Sequence, residues 1–167
     1  MPVDETAITQ YITDTFDGLD VVVASQENGA PEVAWGDSFF FYDPGGTTPP
    51  DRRMPFATIV TQDYGDFDRA SQLHRPGVFR LNIDVGRETY RSLFGPQPSR
   101  PGDSGEVDTG HDFTALNQLM PHPVYAPQSW VCILNPSEAT FQEVVQPLLA
   151  DAYNRAASRY ASRADRG

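Results

Sequence analysis

Two of the chain's three histidines, a tryptophan and its only cysteine fall within one stretch, VDTGHDFTALNQLMPHPVYAPQSWVCILNP, residues 107–136. In it His111 stands between Asp108 and Asp112, and His122 is followed by Tyr125 and Trp130. Histidine beside carboxylates suits general acid/base work near neutral pH, or supplies two to three ligands to a divalent metal. The spacing fits no zinc signature: there is no HExxH and no cysteine pair. No metal is therefore expected. The competing reading is local. DTGHDF can form a turn in which Thr109 or Asp112 caps a following helix, and His122 in PHP can hydrogen-bond within its own loop.

A second group lies on GVFRLNIDV, where Phe79, Leu81, Ile83 and Val85 alternate with Arg80, Asn82 and Asp84. On a strand these two sets point to opposite faces. With helices over the apolar face, the polar set lines the other, and Tyr42 and Thr58 are expected to join it from neighbouring strands. Arg80 is suited to hold a carboxylate or phosphate through parallel hydrogen bonds. The alternative is an ordinary solvated face of an antiparallel sheet.

The remaining motifs exclude more than they suggest. DPGGTTPPDRR has a Gly-Gly pair but neither the spacing nor the lysine of a phosphate-binding P-loop, and reads as a long loop. The serines lie in PSR, DSG and QSW, none of them a nucleophile elbow. Cys132, within WVCIL, reads as a buried structural thiol.

The elements that must position these residues follow from periodicity. Asp4 to Phe16 has Ile8, Ile12 and Phe16 at helical spacing with acidic residues near its start. DVVVAS, DSFFFYD, MPFATIVTQD, GVFRLNIDV and SWVCILN read as strands. RETYRSLFG is a short helix ending at Gly95, and DFTALNQLM returns to helical spacing before Pro121. From Thr140 a long amphipathic helix carries Phe141, Val145, Leu148, Leu149, Ala152 and Ala156 on one stripe. Thr140 and Glu143 have capping-box spacing, and Pro147 should kink the helix or mark its true first turn. This order predicts an α+β fold: a single, mostly antiparallel sheet with an N-terminal helix, two short helices and a long C-terminal helix packed on one face.

A chain of 167 residues suits one domain, residues 1–167. No apolar run approaches the roughly 18 residues of a membrane span. The opening MPVDETAITQ is acidic and shows no apolar signal segment, and one cysteine forms no internal disulfide, so a cytoplasmic protein is expected. Every basic residue is an arginine and the net charge is −11. That balance disfavours nucleic acid and anionic membranes as partners.

The phrases FFFYDP, RRMPFATIVT, LHRPGVFRLNIDVGRETYRSLFGPQP and TGHDFTALNQLMPHPVYAPQSWVCILNPSEATF, between Asp37 and Tyr160, resemble domain-of-unknown-function family 6194, of actinobacteria and haloarchaea. Gln26 to Trp35 looks like an extension of that family's pattern. The element order is more distantly similar to the MmcQ/YjbR-like group, which implies a compact α+β domain with one antiparallel sheet. Some of that group have been proposed to bind DNA; the lack of lysine here departs from them.

The leading expectation is a small-molecule binding protein. Its pocket lies between the sheet's polar face and residues 108–125: Arg80 anchors a polar or anionic ligand, Asn82, His111, His122, Tyr125 and Tyr42 add polar contacts, and Trp130 forms an apolar wall. The alternatives are an enzyme in the same pocket, with His111 or His122 as general acid/base beside Asp112, and a regulatory or protein-interaction domain. No organic cofactor is expected in any of them.

Overall fold

The computed structural model describes residues 3–27, 35–46, 48, 54–63, 70–97 and 111–166. Asp108 and Thr109 lie outside them, as do most of the Gln26–Trp35 extension and of the proline-rich loop.

Helix α1 (Glu5–Thr15) begins where Asp4 accepts a hydrogen bond from the Ala7 N–H at 2.7 Å, and it buries Ile8 and Ile12 completely. Strands β1 (Leu19–Val23), β2 (Ser38–Tyr42), β3 (Ala57–Val60) and β4 (Arg80–Asp84) follow as an antiparallel meander. Helix α2 (Arg87–Phe94) ends at Gly95, whose N–H returns to Arg91. The chain then adds β5 (Met120–Pro121) and β6 (Trp130–Leu134), with β6 against β4, to complete one sheet in the order β1-β2-β3-β4-β6-β5.

The last helical stretch begins earlier than its capping-box pattern suggests. Ser137, not Thr140, is the cap, accepting from the Thr140 N–H at 3.2 Å. A first turn, α3 (Glu138–Thr140), widens into a π turn over Phe141–Val145 before α4 (Gln146–Arg166). Pro147 accounts for the widening: its ring displaces the carbonyl four residues back and it has no N–H to donate, so the turn ahead of it opens.

α1 and α4 cover one face of the sheet. Leu81 and Ile83 of β4 are fully buried there with Ile59, Val131, Ile133 and Phe40, against Val145, Leu149 and Ala152 of the helix. Each such large apolar side chain contributes about 1.5–3 kcal/mol by leaving water. Phe16 stacks on Tyr153 with ring centroids 4.6 Å apart, and the Tyr153 hydroxyl donates to the Asp17 carbonyl at 2.7 Å, which ties the segment just after α1 to α4.

The second face is not solvated. Arg80, Asn82 and Asp84 are as buried as their apolar neighbours, because residues 70–79 and 111–128 fold across that side. There Leu73 packs with Val60, Met120, Cys132 and Leu134 in a separate apolar cluster. The helix expected over DFTALNQLM does not form. Asn117 adopts a left-handed conformation (φ 58°) and its N–H donates across to the Leu134 carbonyl at 2.6 Å, so the chain becomes a strand-edge segment leading into β5.

Candidate functional site

The polar residues of β4 and the hairpin between β5 and β6 meet around a cavity of about 560 Å³. Thr58, Arg80 and Asn82 form its floor, on neighbouring strands whose register sets Thr58 opposite Asn82. Phe39, Met54, Val60, Trp130 and Tyr125 give it apolar walls. At the far end of β4, Asp84 faces Arg155 and Arg159 from α4.

His122 enters through local backbone chemistry. Its N–H donates to the Trp130 carbonyl at 3.1 Å, closing the β5–β6 pair, and its own carbonyl accepts from Ala126. Pro121 and Pro123 flank it, so the next free amides are those of Val124 and Tyr125. Both donate to the His122 Nδ1, at 3.0 and 2.9 Å. An Nδ1 that accepts two N–H groups carries no proton, so in the neutral ring the proton sits on Nε2. Burial, and secondarily the charge of Arg80, holds the ring's pKa well below its ordinary value, which keeps it neutral. His122, with this proton on Nε2, is one of the residues that line the cavity. Among the described residues no protein group accepts from it.

Arg80 is only 1 % exposed. Its Nε donates to Asn82 Oδ1 at 2.9 Å and its Nη1 to the Ser71 hydroxyl at 3.0 Å, while Asn82 Nδ2 donates to the Thr58 hydroxyl at 3.0 Å. The guanidinium is thereby fixed with Nη2 3.4 Å from His122 Nε2. Two donors cannot hydrogen-bond to each other, so this pair is a convergence and not a bond.

At the rim, Arg155 and Arg159 reach the two Asp84 oxygens at 3.1 and 3.4 Å. Arg155 lies across Gly86, where a Cβ would fall 2.4 Å from its Nε.

The cavity thus unites Arg80, Asn82, Thr58, His122, Tyr125 and Trp130. Three expected members lie elsewhere. Tyr42 is on the helix-covered face, edge-on to Tyr153 and Tyr160, because it shares the parity of buried Phe40. His111 packs edge-on against Phe94 of α2, away from the cavity. Asp112 is exposed and accepts from the Thr114 N–H and hydroxyl, which hold its carboxyl below the usual range. It organises a turn. Met54, Gln128, Arg155 and Arg159 were not anticipated. The i, i+4 spacing of the two arginines was visible, but the sequence holds no sign of the strand end they meet.

Among the described residues no group of three His, Cys, Asp or Glu side chains comes together as metal ligands. His74 contacts Asp63 at 3.3 Å on the surface, with its side chain 70 % exposed.

An α+β fold whose sheet carries an arginine-floored cavity is the class of protein that fold and site define. The chain matches the family described as a family of unknown function, DUF6194, over residues 3–165, and belongs to it. No curated protein and no solved structure matches significantly.

Proposed function

We propose that this protein binds a small polar or anionic molecule in the cavity between the second sheet face and residues 111–128. The observation that carries this reading is the convergence of Arg80 and His122, both almost fully buried, on one apolar-walled space. A buried donor costs free energy until an acceptor reaches it, and a ligand in the cavity would supply one to His122 Nε2–H. An acid/base role for His122 has less support. Its Nδ1 is occupied by two amides, and among the described residues no carboxylate orients it. The exposed large apolar residues are scattered, and two of them, Met54 and Tyr125, border this cavity, which favours a ligand over a protein-docking face.

The acidic charge, the absence of lysine and the lone buried cysteine support a cytoplasmic protein that engages neither nucleic acid nor membrane. No helix among the described residues is long and apolar enough to cross a membrane. The distant likeness to the MmcQ/YjbR-like group rests on element order.

Native mass spectrometry of gently purified protein tests the binding reading. The expected result is a bound species in the small-molecule range whose occupancy falls in a His122→Asn variant. Mass spectra without any adduct, together with no thermal stabilisation by a broad metabolite panel, would overturn it.

A further inference from the structure

The cavity's chemistry narrows the class of ligand, on the strength of the binding role just proposed. We infer that the cavity takes a carbonyl-bearing carboxylic acid: its carboxylate lies at the Arg155–Arg159 rim, and its uncharged carbonyl, a ring's width away, accepts from His122 Nε2–H.

The carbonyl follows from the buried end. His122 is 2 % exposed, two amides occupy its Nδ1, and among the described residues nothing accepts from its Nε2–H. A neutral imidazole offers one proton and no charge, which suits an uncharged oxygen. An anion buried there would need a cation of its own. Arg80 is already engaged, by Asn82, by Ser71 and by further contacts.

The carboxylate follows from the rim, where two guanidiniums share one acid. Arg155 Nη1 and Arg159 Nη2 reach the two oxygens of Asp84 at 3.1 and 3.4 Å, and among the described residues no second carboxylate pairs with either. One positive charge is therefore in excess. Both arginines line the cavity with side chains 41 % and 46 % exposed, so donors on each are left for an incoming anion.

Strand β4 sets the distance between the two ends. Arg80 Nε donates to Asn82 Oδ1, so the guanidinium that His122 approaches to 3.4 Å lies beside Asn82. Asp84 is the next residue on that face, about 7 Å along the strand. The walls between are aromatic: Trp130 pairs with Asp84 across the sheet, and Phe39 with Thr58. A ring joining the two ligand groups matches both the span and the apolar surface.

Calorimetric titration of the full chain with three matched probes tests this. In 4-acetylbenzoate one ring separates a ketone from a carboxylate; 4-ethylbenzoate lacks the acceptor, and 4-acetylbenzamide lacks the charge. The first should bind about fivefold or more above 4-ethylbenzoate, and about three- to tenfold above 4-acetylbenzamide. His122→Asn keeps an acceptor near the Nδ1 position for Val124 and Tyr125 but removes the Nε2–H. It should erase the preference for acetyl over ethyl and leave 4-ethylbenzoate unchanged. Arg159→Gln leaves one guanidinium on Asp84 and no excess charge. It should erase the preference for carboxylate over amide and leave 4-acetylbenzamide unchanged.

Equal affinity for the three probes, no saturable binding of 4-acetylbenzoate, or loss of 4-ethylbenzoate affinity in His122→Asn would each overturn the inference, as would indifference of the carboxylates to Arg159→Gln. Should His122→Asn fail to fold, the ranking of the probes by the parent and the Arg159→Gln variant decide alone. A bound molecule lacking either the carboxylate or the carbonyl, found by mass spectrometry, would overturn this inference while sustaining the binding role. Failure of every probe and of the mass-spectrometric search would remove both.

Discussion

Arg80 lies on β4 and His122 just beyond β5, two places away in the sheet, and their nitrogens stand 3.4 Å from each other with no hydrogen bond possible between them. Everything around the pair holds it in place. Asn82 and Ser71 fix the guanidinium, and two backbone amides fix the ring. Preorganisation of this kind lowers the ordering cost of binding, because neither side chain has to be immobilised when a ligand arrives.

The ring's neutrality predicts a pH signature. Unfolded, His122 titrates near about 6.5. Folded, its pKa lies well below that through burial and then Arg80. As pH falls past about 6.5 the unfolded chain takes up a proton that the folded chain refuses. Its contribution to stability is therefore intact above that pH and declines below it, by up to about 1.4 kcal/mol per pH unit, until the folded-state pKa is reached. The difference in unfolding free energy between wild type and His122→Asn should shrink from pH 7 to pH 5.5. A difference that stays flat over that interval would show that the folded ring protonates normally.

Leu81 tests the face assignment. It is fully buried beneath the helices, and Leu81→Ala should cost about 2–5 kcal/mol by emptying that position. Denaturant unfolding measures it, and an unchanged midpoint would contradict the packing described.

Gly86 carries two separable constraints. Its backbone (φ 85°, ψ 164°) lies where only glycine is comfortable, and Arg155 occupies the space of a Cβ. Gly86→Ala should destabilise by about 1–3 kcal/mol. In a double-mutant cycle, Arg155→Ala should recover part of that loss, since it removes the collision and leaves the backbone strain. Strict additivity of the two substitutions would mean that Arg155 does not rest on Gly86.

Charge makes the last prediction. With −11 overall and no lysine, the protein should show no association with a fluorescent DNA duplex tighter than about micromolar at physiological salt. Salt-sensitive binding in the nanomolar range, read by anisotropy, would contradict it.

What the sequence made legible was local. The alternation along β4 separated Leu81 and Ile83 from Arg80 and Asn82, and the stripe on the final helix identified the side that meets them. Arg80 and His122 stood out as polar residues in apolar or proline-rich surroundings. Tyr42 could not be placed, because FFFY has no polar alternation from which to read parity; only the pairing of Phe40 with Ala57 decides it. The depth of Arg80 was equally hidden, since it depends on residues 70–79 and 111–128 crossing a face that the strand pattern leaves open. Helical spacing in DFTALNQLM misled for a similar reason. A long-range bond from Asn117 to Leu134 outweighs a weak local preference.

The rim arginines have a kinetic consequence. Arg155 and Arg159 gather positive charge at the cavity of a chain whose net charge is −11. An incoming anion meets repulsion at long range and attraction only on arrival. Added salt shortens the reach of the first, to about 8 Å at 0.15 M, and weakens a buried contact such as that at Arg80 far less. For an anionic ligand, association should therefore quicken as ionic strength rises, the reverse of the behaviour usual for oppositely charged partners, and a salt-rich cell interior would be the medium in which this cavity fills fastest.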